Sequence, residues 1–178
     1  MRMNVVIKTM TQSYNIDAYN RTAVCEEDIE NGCVFELKSY SEVDGEGMVW
    51  KAEKPTADTA KGLWMATSPE VVITKGFDGA EYKGLTQDPR AFVNIAGKMI
   101  DAIYLAPGDI IEMTCDGISG ADTNDYLVID ANKFKLKSNA TATTGLSLRK
   151  VGTSRLHIGQ AGVAKAPIPT YKYVVEIN

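Results

Sequence analysis

Histidine, paired cysteine and long apolar runs are all scarce in this chain. One histidine, His157, stands among 178 residues. It lies in Arg155-Leu156-His157-Ile158, alternating with apolar neighbours, which predicts the polar face of a strand. A catalytic imidazole needs a nucleophile and an orienting group converging on it, and nothing nearby in sequence supplies either. Cys25, Cys33 and Cys115 are odd in number and lack CxxC spacing, which argues against a disulfide framework and a zinc site. Cys33 and Cys115 fall on the apolar side of predicted strands and read as small buried hydrophobes. No stretch approaches the roughly 18 apolar residues of a membrane span, and the apolar run within residues 1–8 is too short for a signal peptide. Synthesis in a reducing cytoplasm is the expectation.

Nucleotide-binding glycine motifs are missing too: there is no P-loop and no GxGxxG. A net charge of −4 and a pI of about 5.1 disfavour a general nucleic-acid binder, because phosphate affinity comes from clustered Lys and Arg. The one dense basic stretch, Lys133, Lys135 and Lys137, alternates with Phe134 and Leu136 as the solvent face of a strand does. The acidic segment 116–125 offers three Asp and one Asn, the oxygen ligands calcium prefers. Its spacing fails the EF-hand pattern, so an ordinary solvated loop is expected. No catalytic residue, metal ligand or cofactor is assigned.

What the chain has is a turn-and-strand phrase written twice. Ile29-Glu30-Asn31-Gly32-Cys33-Val34-Phe35-Glu36-Leu37 is nearly repeated as Leu105-Ala106-Pro107-Gly108-Asp109-Ile110-Ile111-Glu112-Met113. Glycine relieves a positive φ in each turn, and the alternating run then suits a half-buried strand. Cys33, Phe35 and Leu37 are predicted to share one face, as are Ile100, Ala102 and Tyr104, and Ile111, Met113 and Cys115. Further strands are predicted at 48–50, 62–66 and 71–74. Residues 126–130 and 133–137 suggest a hairpin, and 146–148 with 156–158 a second one turning at Gly152-Thr153-Ser154. Tyr171, Tyr173, Val175 and Ile177 place the C-terminal segment inside a sheet. Residues 26–28 suit a short helical turn, 41–47 a loop, and 75–91 a long irregular loop. No segment over ten residues sustains a helical apolar pattern. The fold class is therefore all-β: an antiparallel β-sandwich or partly closed β-barrel with long irregular loops.

Residues 1–20 are read as an extended N-terminal arm or a first strand, and 21–178 as a single β-rich domain. Val5, Val6, Ile7 and Met10 form an apolar patch beside polar sequence, suited to adding a strand to a neighbour's sheet edge, and are the candidate partner-binding residues. Trp50 and Trp64 are expected in the core, given the apolar area that indole buries.

The segments 28–37 and 106–113, with the short β-rich chain and its polar N-terminal stretch, resemble the auxiliary head proteins of tailed bacteriophages, the decoration or cement proteins. The resemblance implies a β-barrel-like body that forms small homo-oligomers, a trimer in preference to a dimer. It implies a non-enzymatic structural protein that binds the major capsid protein on the outer capsid surface of the virion and stabilises the shell. Such a protein is made in the host cytoplasm and has no membrane or nucleic-acid partner. Two other classes stay open: a carbohydrate- or receptor-binding β-module using exposed Trp and Tyr, and a small hydrolase with converging carboxylates.

Overall fold

Short alternating segments separated by glycine turns leave little for the backbone to do but pair laterally. The computed structural model describes residues 4–43, 47–70, 74–75, 81–82, 89–120, 123–157 and 167–178. Its strands are β1 (Val6–Ile7), β2 (Asn20–Val24), β3 (Val34–Val43), β4 (Gly47–Glu53), β5 (Trp64–Ala66), β6 (Thr74–Lys75) and β7 (Glu81–Tyr82). They continue as β8 (Met99–Tyr104), β9 (Ile110–Thr114), β10 (Ile118–Ser119), β11 (Tyr126–Val128), β12 (Leu136–Asn139), β13 (Ser147–Leu156) and β14 (Ile168–Ile177). The helices among the described residues are 3-10 turns of three or four residues. None is long and apolar enough to cross a membrane.

The protein is all-β. Strands β2-β4-β3-β5-β8 close into a five-stranded barrel. Strands β1-β9-β14-β13-β11-β12-β10 form a sheet curled into a half-barrel, and β6 and β7 pair separately. Pairing is antiparallel except between β2 and β4 and between β10 and β12. The two copies of the turn-and-strand phrase each lead into a strand of a different body, β3 of the barrel and β9 of the half-barrel. Gly32 has φ +85° and Gly108 φ +96°, and β3 and β9 each begin two residues later.

The barrel wall facing the half-barrel is buried on both sides. Phe35, Ala66, Ile100 and Ala102 point into the barrel, where Ala23 and Ala52 join them. From the same strands, Val34, Met65 and Ile103 pack outward against Ile111, Met113, Leu127, Leu148 and Tyr173 of the half-barrel. This explains why Cys33-Val34-Phe35 and Leu63-Trp64-Met65-Ala66 are nearly continuous apolar runs: a strand with no solvent face has no polar alternation. The C-terminal strand lies inside its sheet between β9 and β13, with Tyr173 and Val175 buried.

Several expectations are corrected. Residues 146–158 are not a hairpin: β13 runs unbroken from Ser147 to Leu156 along β14, and Gly152 marks a register shift within it. A glycine in strand sequence can serve a bulge as readily as a turn. The 126–130 and 133–137 hairpin exists, but its second strand is Leu136–Asn139, because residues 130–135 instead cross to the barrel. There Phe134 joins the barrel core and its carbonyl accepts the Val34 N–H at 2.8 Å. Polar residues 41–43 are strand rather than loop, since ladder bonds form whatever the side chains. Residues 26–28 form no helical turn. Part of 75–91 is regular, because β6 and β7 pair. Residues 71–73 of the strand predicted at 71–74 lie outside the described residues.

The two turn glycines should respond differently to alanine. At Gly108 a Cβ meets nothing within 4 Å, so only the positive φ is penalised. At Gly32 it would also lie 2.2 Å from Asn4 Nδ2. Gly108→Ala should cost about 1 kcal/mol, and Gly32→Ala about 3 kcal/mol or more. Denaturant unfolding of both variants checks the order, and equal losses would contradict it.

Candidate partner-binding surfaces

Residues 4–20 are a first strand and a strapped connection. Val6 pairs with Met113 and Ile7 with Glu112, which makes β1 an edge of the half-barrel sheet. Val5 and Val6 are buried, at 4% and 7% exposure, and Ile7 is half-buried. The expectation that Val5, Val6 and Ile7 form a free apolar patch for a partner is therefore corrected. Their apolar area goes to the chain's own core, where burial next to Met113 is available without association. Met10 does remain exposed at 48%, and Tyr14 and Ile16 beside it are exposed at 49% and 43%.

A buried carboxylate fastens this connection. Asp109, 2% exposed, accepts hydrogen bonds from the Gln12 N–H at 2.8 Å, the Ser13 N–H at 3.2 Å and the Ser13 hydroxyl. It also accepts the Ala106 N–H at 3.1 Å, so one side chain holds both its own turn and the 3-10 turn at Gln12–Asn15. Four donors compensate a carboxylate withdrawn from water. Aspartate after the turn glycine was legible in the sequence, but its partners almost a hundred residues earlier were not.

Where this connection crosses the barrel it leaves a groove of about 490 Å³ lined by Lys8, Tyr14, Arg21, Trp50, Thr67 and Asp101, among others. Lys8 Nζ donates to the Thr67 carbonyl at 2.8 Å and lies 4.4 Å from the Tyr14 ring centre. Burial pushes the Lys8 amine below its ordinary value, while Asp101 and Glu70 oppose that shift. Among the described residues that line this groove, Asp101 is the one carboxylate.

Trp50 and Trp64 are half-buried and pack against the barrel core. Tyr40 packs on Trp50 with ring centres 4.2 Å apart, and Tyr104 meets Trp64 edge-on at 5.5 Å. Tyr40 is the exposed member of this group, at 53%. His157 and Arg155 are both exposed at the end of β13.

Lys133, Lys135 and Lys137 do more than face solvent. Lys133 meets Asp130 at 2.7 Å, Lys135 meets the buried Glu30 at 2.6 Å, and Lys137 meets Asp58 at 3.4 Å. The hydrogen bond from Lys133 holds the Asp130 carboxyl below its usual range. A count of charge by segment would have signalled this. Between Asp130 and Glu176 the sequence has eight Lys and Arg and no Asp or Glu. Arg149 meets Glu176 and Lys172 lies 3.9 Å from Glu112, so the basic segment is largely neutralised by carboxylates outside it.

In the segment 116–125, Asp116 lies in a 3-10 turn and its carbonyl accepts Lys135 Nζ at 3.2 Å; residues 121–122 lie outside the described residues. Among the described residues, no group of three His, Cys, Asp or Glu is placed to hold a metal ion. Cys25 and Cys33 are buried free thiols. Burial raises both, Cys33 to about 12.

Two outcomes follow from these contacts. Asp109→Ala should leave the barrel folded while residues 12–19 lose amide-exchange protection and become cleavable by protease, at a cost of about 1–3 kcal/mol. Unchanged protection would mean that the segment is held by other contacts. Iodoacetamide at pH 8 should leave Cys25 and Cys33 unmodified until denaturant is added, because the thiolate is the reactive form. Rapid labelling of either residue in the native protein, located by peptide mapping, would contradict that.

No protein-family model, curated protein or solved structure matches the chain, so what it binds is argued from its own surfaces.

Proposed function

We propose that this is a structural virion protein, a decoration or cement protein that binds the outer surface of a bacteriophage capsid and stabilises the shell. The observation that carries the reading is the pair of segments resembling auxiliary head proteins. Each leads into a strand of one of the two β bodies, with Gly32 before β3 of the barrel and Gly108 before β9 of the half-barrel. The two bodies share a doubly buried wall, which favours a stiff clamp over a hinged binder. Exposed Met10, Tyr14 and Ile16 on the strapped connection offer apolar contacts to a shell. The partner is the major capsid protein, and the protein acts as a homo-oligomer, a trimer in preference to a dimer.

The physical logic is multivalent. An oligomer touching several capsid subunits gains effective concentration, so modest single contacts add to firm attachment. Subunits bridged in this way resist separation under internal pressure without any chemical step. An acidic chain of net charge −4 gains nothing from packaged nucleic acid, which fits an outer location.

The test mixes purified protein with expanded capsids made without it, followed by sedimentation and electron microscopy. The protein should pellet with the capsids, appear as added density on their outer surface, and raise the temperature at which they rupture. Met10→Asp with Ile16→Asp should weaken attachment by at least about tenfold without unfolding the protein. Absence from the capsid pellet, or equal binding to DNA or to glycans, would overturn the proposal.

A further inference from the structure

The groove beneath the N-terminal connection lies on the outer face of β2 and β8. Ala102 points into the barrel and Ile103 out of it, and Thr22 and Asn20 stand opposite Asp101 and Ile103 in the β2–β8 ladder. These side chains therefore share the face that the connection crosses. Polar groups there are left without the partners their chemistry calls for. The Asp101 carboxylate is exposed and makes no hydrogen bond or ion pair among the described residues. Lys8 Nζ uses one of its hydrogens on the Thr67 carbonyl and makes no ion pair among them either. The two charges attract each other without forming a bonded pair. Thr67 also lines the groove, and its hydroxyl is buried with no hydrogen-bond partner among the described residues. Arg21, by contrast, is tied to the connection, donating to the Asp17 and Asn20 carbonyls at 3.2 and 2.8 Å. Exposed Tyr14 and half-buried Trp50 add apolar surface to the walls.

We propose that this groove is a sugar-binding site, in which ligand hydroxyls donate to Asp101 and accept from Lys8 while C–H faces of the ring lie on Tyr14 and Trp50. The chemistry of the walls selects that class. An anion would be drawn by Lys8 and repelled by Asp101, and a cation would meet the reverse, so a ligand of one charge leaves one group mismatched. A hydroxyl both donates and accepts, so a sugar satisfies carboxylate and amine together without carrying charge. Adjacent hydroxyls also reach the two oxygens of one carboxylate as a pair. Burial of Lys8, which lowers its pKa, strengthens a hydrogen bond made there. An extended peptide is the other neutral ligand with donors and acceptors, and it draws much of its affinity from a free strand edge. At Asp101 the backbone offers none: its N–H donates to the Ser68 hydroxyl at 3.0 Å and its carbonyl accepts the Thr67 N–H at 2.8 Å. The volume of about 490 Å³ falls in the range of small-molecule clefts.

The site goes beyond the capsid reading and does not rest on it. A single sugar of this size should bind with a dissociation constant of about 1–10 mM, far more weakly than attachment through several capsid subunits at once. The sugar test uses the free protein alone, so failure to bind capsids leaves this inference standing.

The experiment follows the backbone amide shifts of the isotopically labelled full chain as glucose, galactose, mannose or N-acetylglucosamine is added to about 50 mM. At least one sugar should give saturable shifts confined to residues 8–22, 50, 67–69 and 101–103, and glycerol at the same concentration should give none. Asp101→Asn should weaken that sugar at least about fivefold, with the melting temperature unchanged because the carboxylate is exposed. No saturable shift from any of the four sugars, or shifts spread over the whole surface, would overturn the inference. Sugar binding that Asp101→Asn leaves unchanged would overturn it as well. Phosphate that shifts these residues more strongly than any sugar, and binds more tightly after Asp101→Asn, would identify an anion site instead. A capped trialanine peptide that binds there more tightly than any sugar would overturn the inference in favour of a peptide groove.

Discussion

The arrangement of the two β bodies depends on one buried polar junction centred on Asn4. Its backbone N–H donates to Glu30 Oε2 at 2.8 Å, its side-chain amide donates to the Asn31 carbonyl at 2.9 Å, and its Oδ1 accepts the Thr114 hydroxyl at 2.8 Å. Glu30 and Asn31 belong to the turn before β3 of the barrel, whereas Thr114 ends β9 of the half-barrel. Asn31 extends the junction by exchanging hydrogen bonds with Ser68 and accepting one from Asn94. Lys135, entering β12, neutralises Glu30 at 2.6 Å. Every strand end that meets here is fixed in register by a group that cannot rotate away without orphaning a buried partner. Such a junction adds less to net stability than an apolar one of the same volume would, because desolvating Glu30 and Lys135 costs several kcal/mol, of order 3–5 if one partner is then lost. Its physical return is uniqueness. Apolar surfaces of the two bodies could slide past one another, and this set of donors and acceptors matches in one arrangement.

Given that junction, the rest of the core follows from space. A five-stranded barrel has too little room for large side chains on every stave, and its interior is filled by Ala23, Ala52, Ala66 and Ala102 around Phe35 and Ile100. Small residues inside allow large ones outside, and Met65, Ile103 and Val34 provide the ridge on which the half-barrel curls. One barrel wall thus serves two cores, which explains how 178 residues support two sheets without two separate domains' worth of apolar sequence.

The sequence made the strand inventory and the all-β class legible because turn glycines and period-two alternation are local signals. Gly32 and Gly108 have the positive φ their neighbours implied, and Ile111 and Met113 share the buried face assigned to them. Illegible were features that depend on partners far along the chain. Residues Val5 and Val6 read as an apolar patch beside polar sequence, and only the β9 edge opposite them, over a hundred residues later, makes them core. In the polar stretch that suggested a free arm, the Thr11 hydroxyl donates to the Ile110 carbonyl and the Ser13 hydroxyl to Asp109, which also accepts the Gln12 and Ser13 backbone N–H groups. Gly152 looked like a turn because glycine chemistry does not distinguish a turn from a bulge until the partner strand is known. Of the groove beside Tyr14 and Lys8 nothing could be read, since its walls come from four separate parts of the chain.

Charge segregation ties the folding argument to the binding one. The basic stretch between Asp130 and Glu176 is laid against an otherwise acidic chain, and each contact at Asp130, Glu30, Asp58, Glu112 and Glu176 draws one part onto the other. Most of these pairs are exposed enough that each adds at most about 1 kcal/mol. Their larger effect is on what remains. A cation already paired gains little when a partner offers a carboxylate, because one contact is exchanged for another. A cation left unpaired by folding gives the whole of its interaction to association. Folding therefore consumes charge along the body of the protein by drawing the basic segment onto carboxylates elsewhere in the chain, and only charge left over from those pairs is available to a second chain.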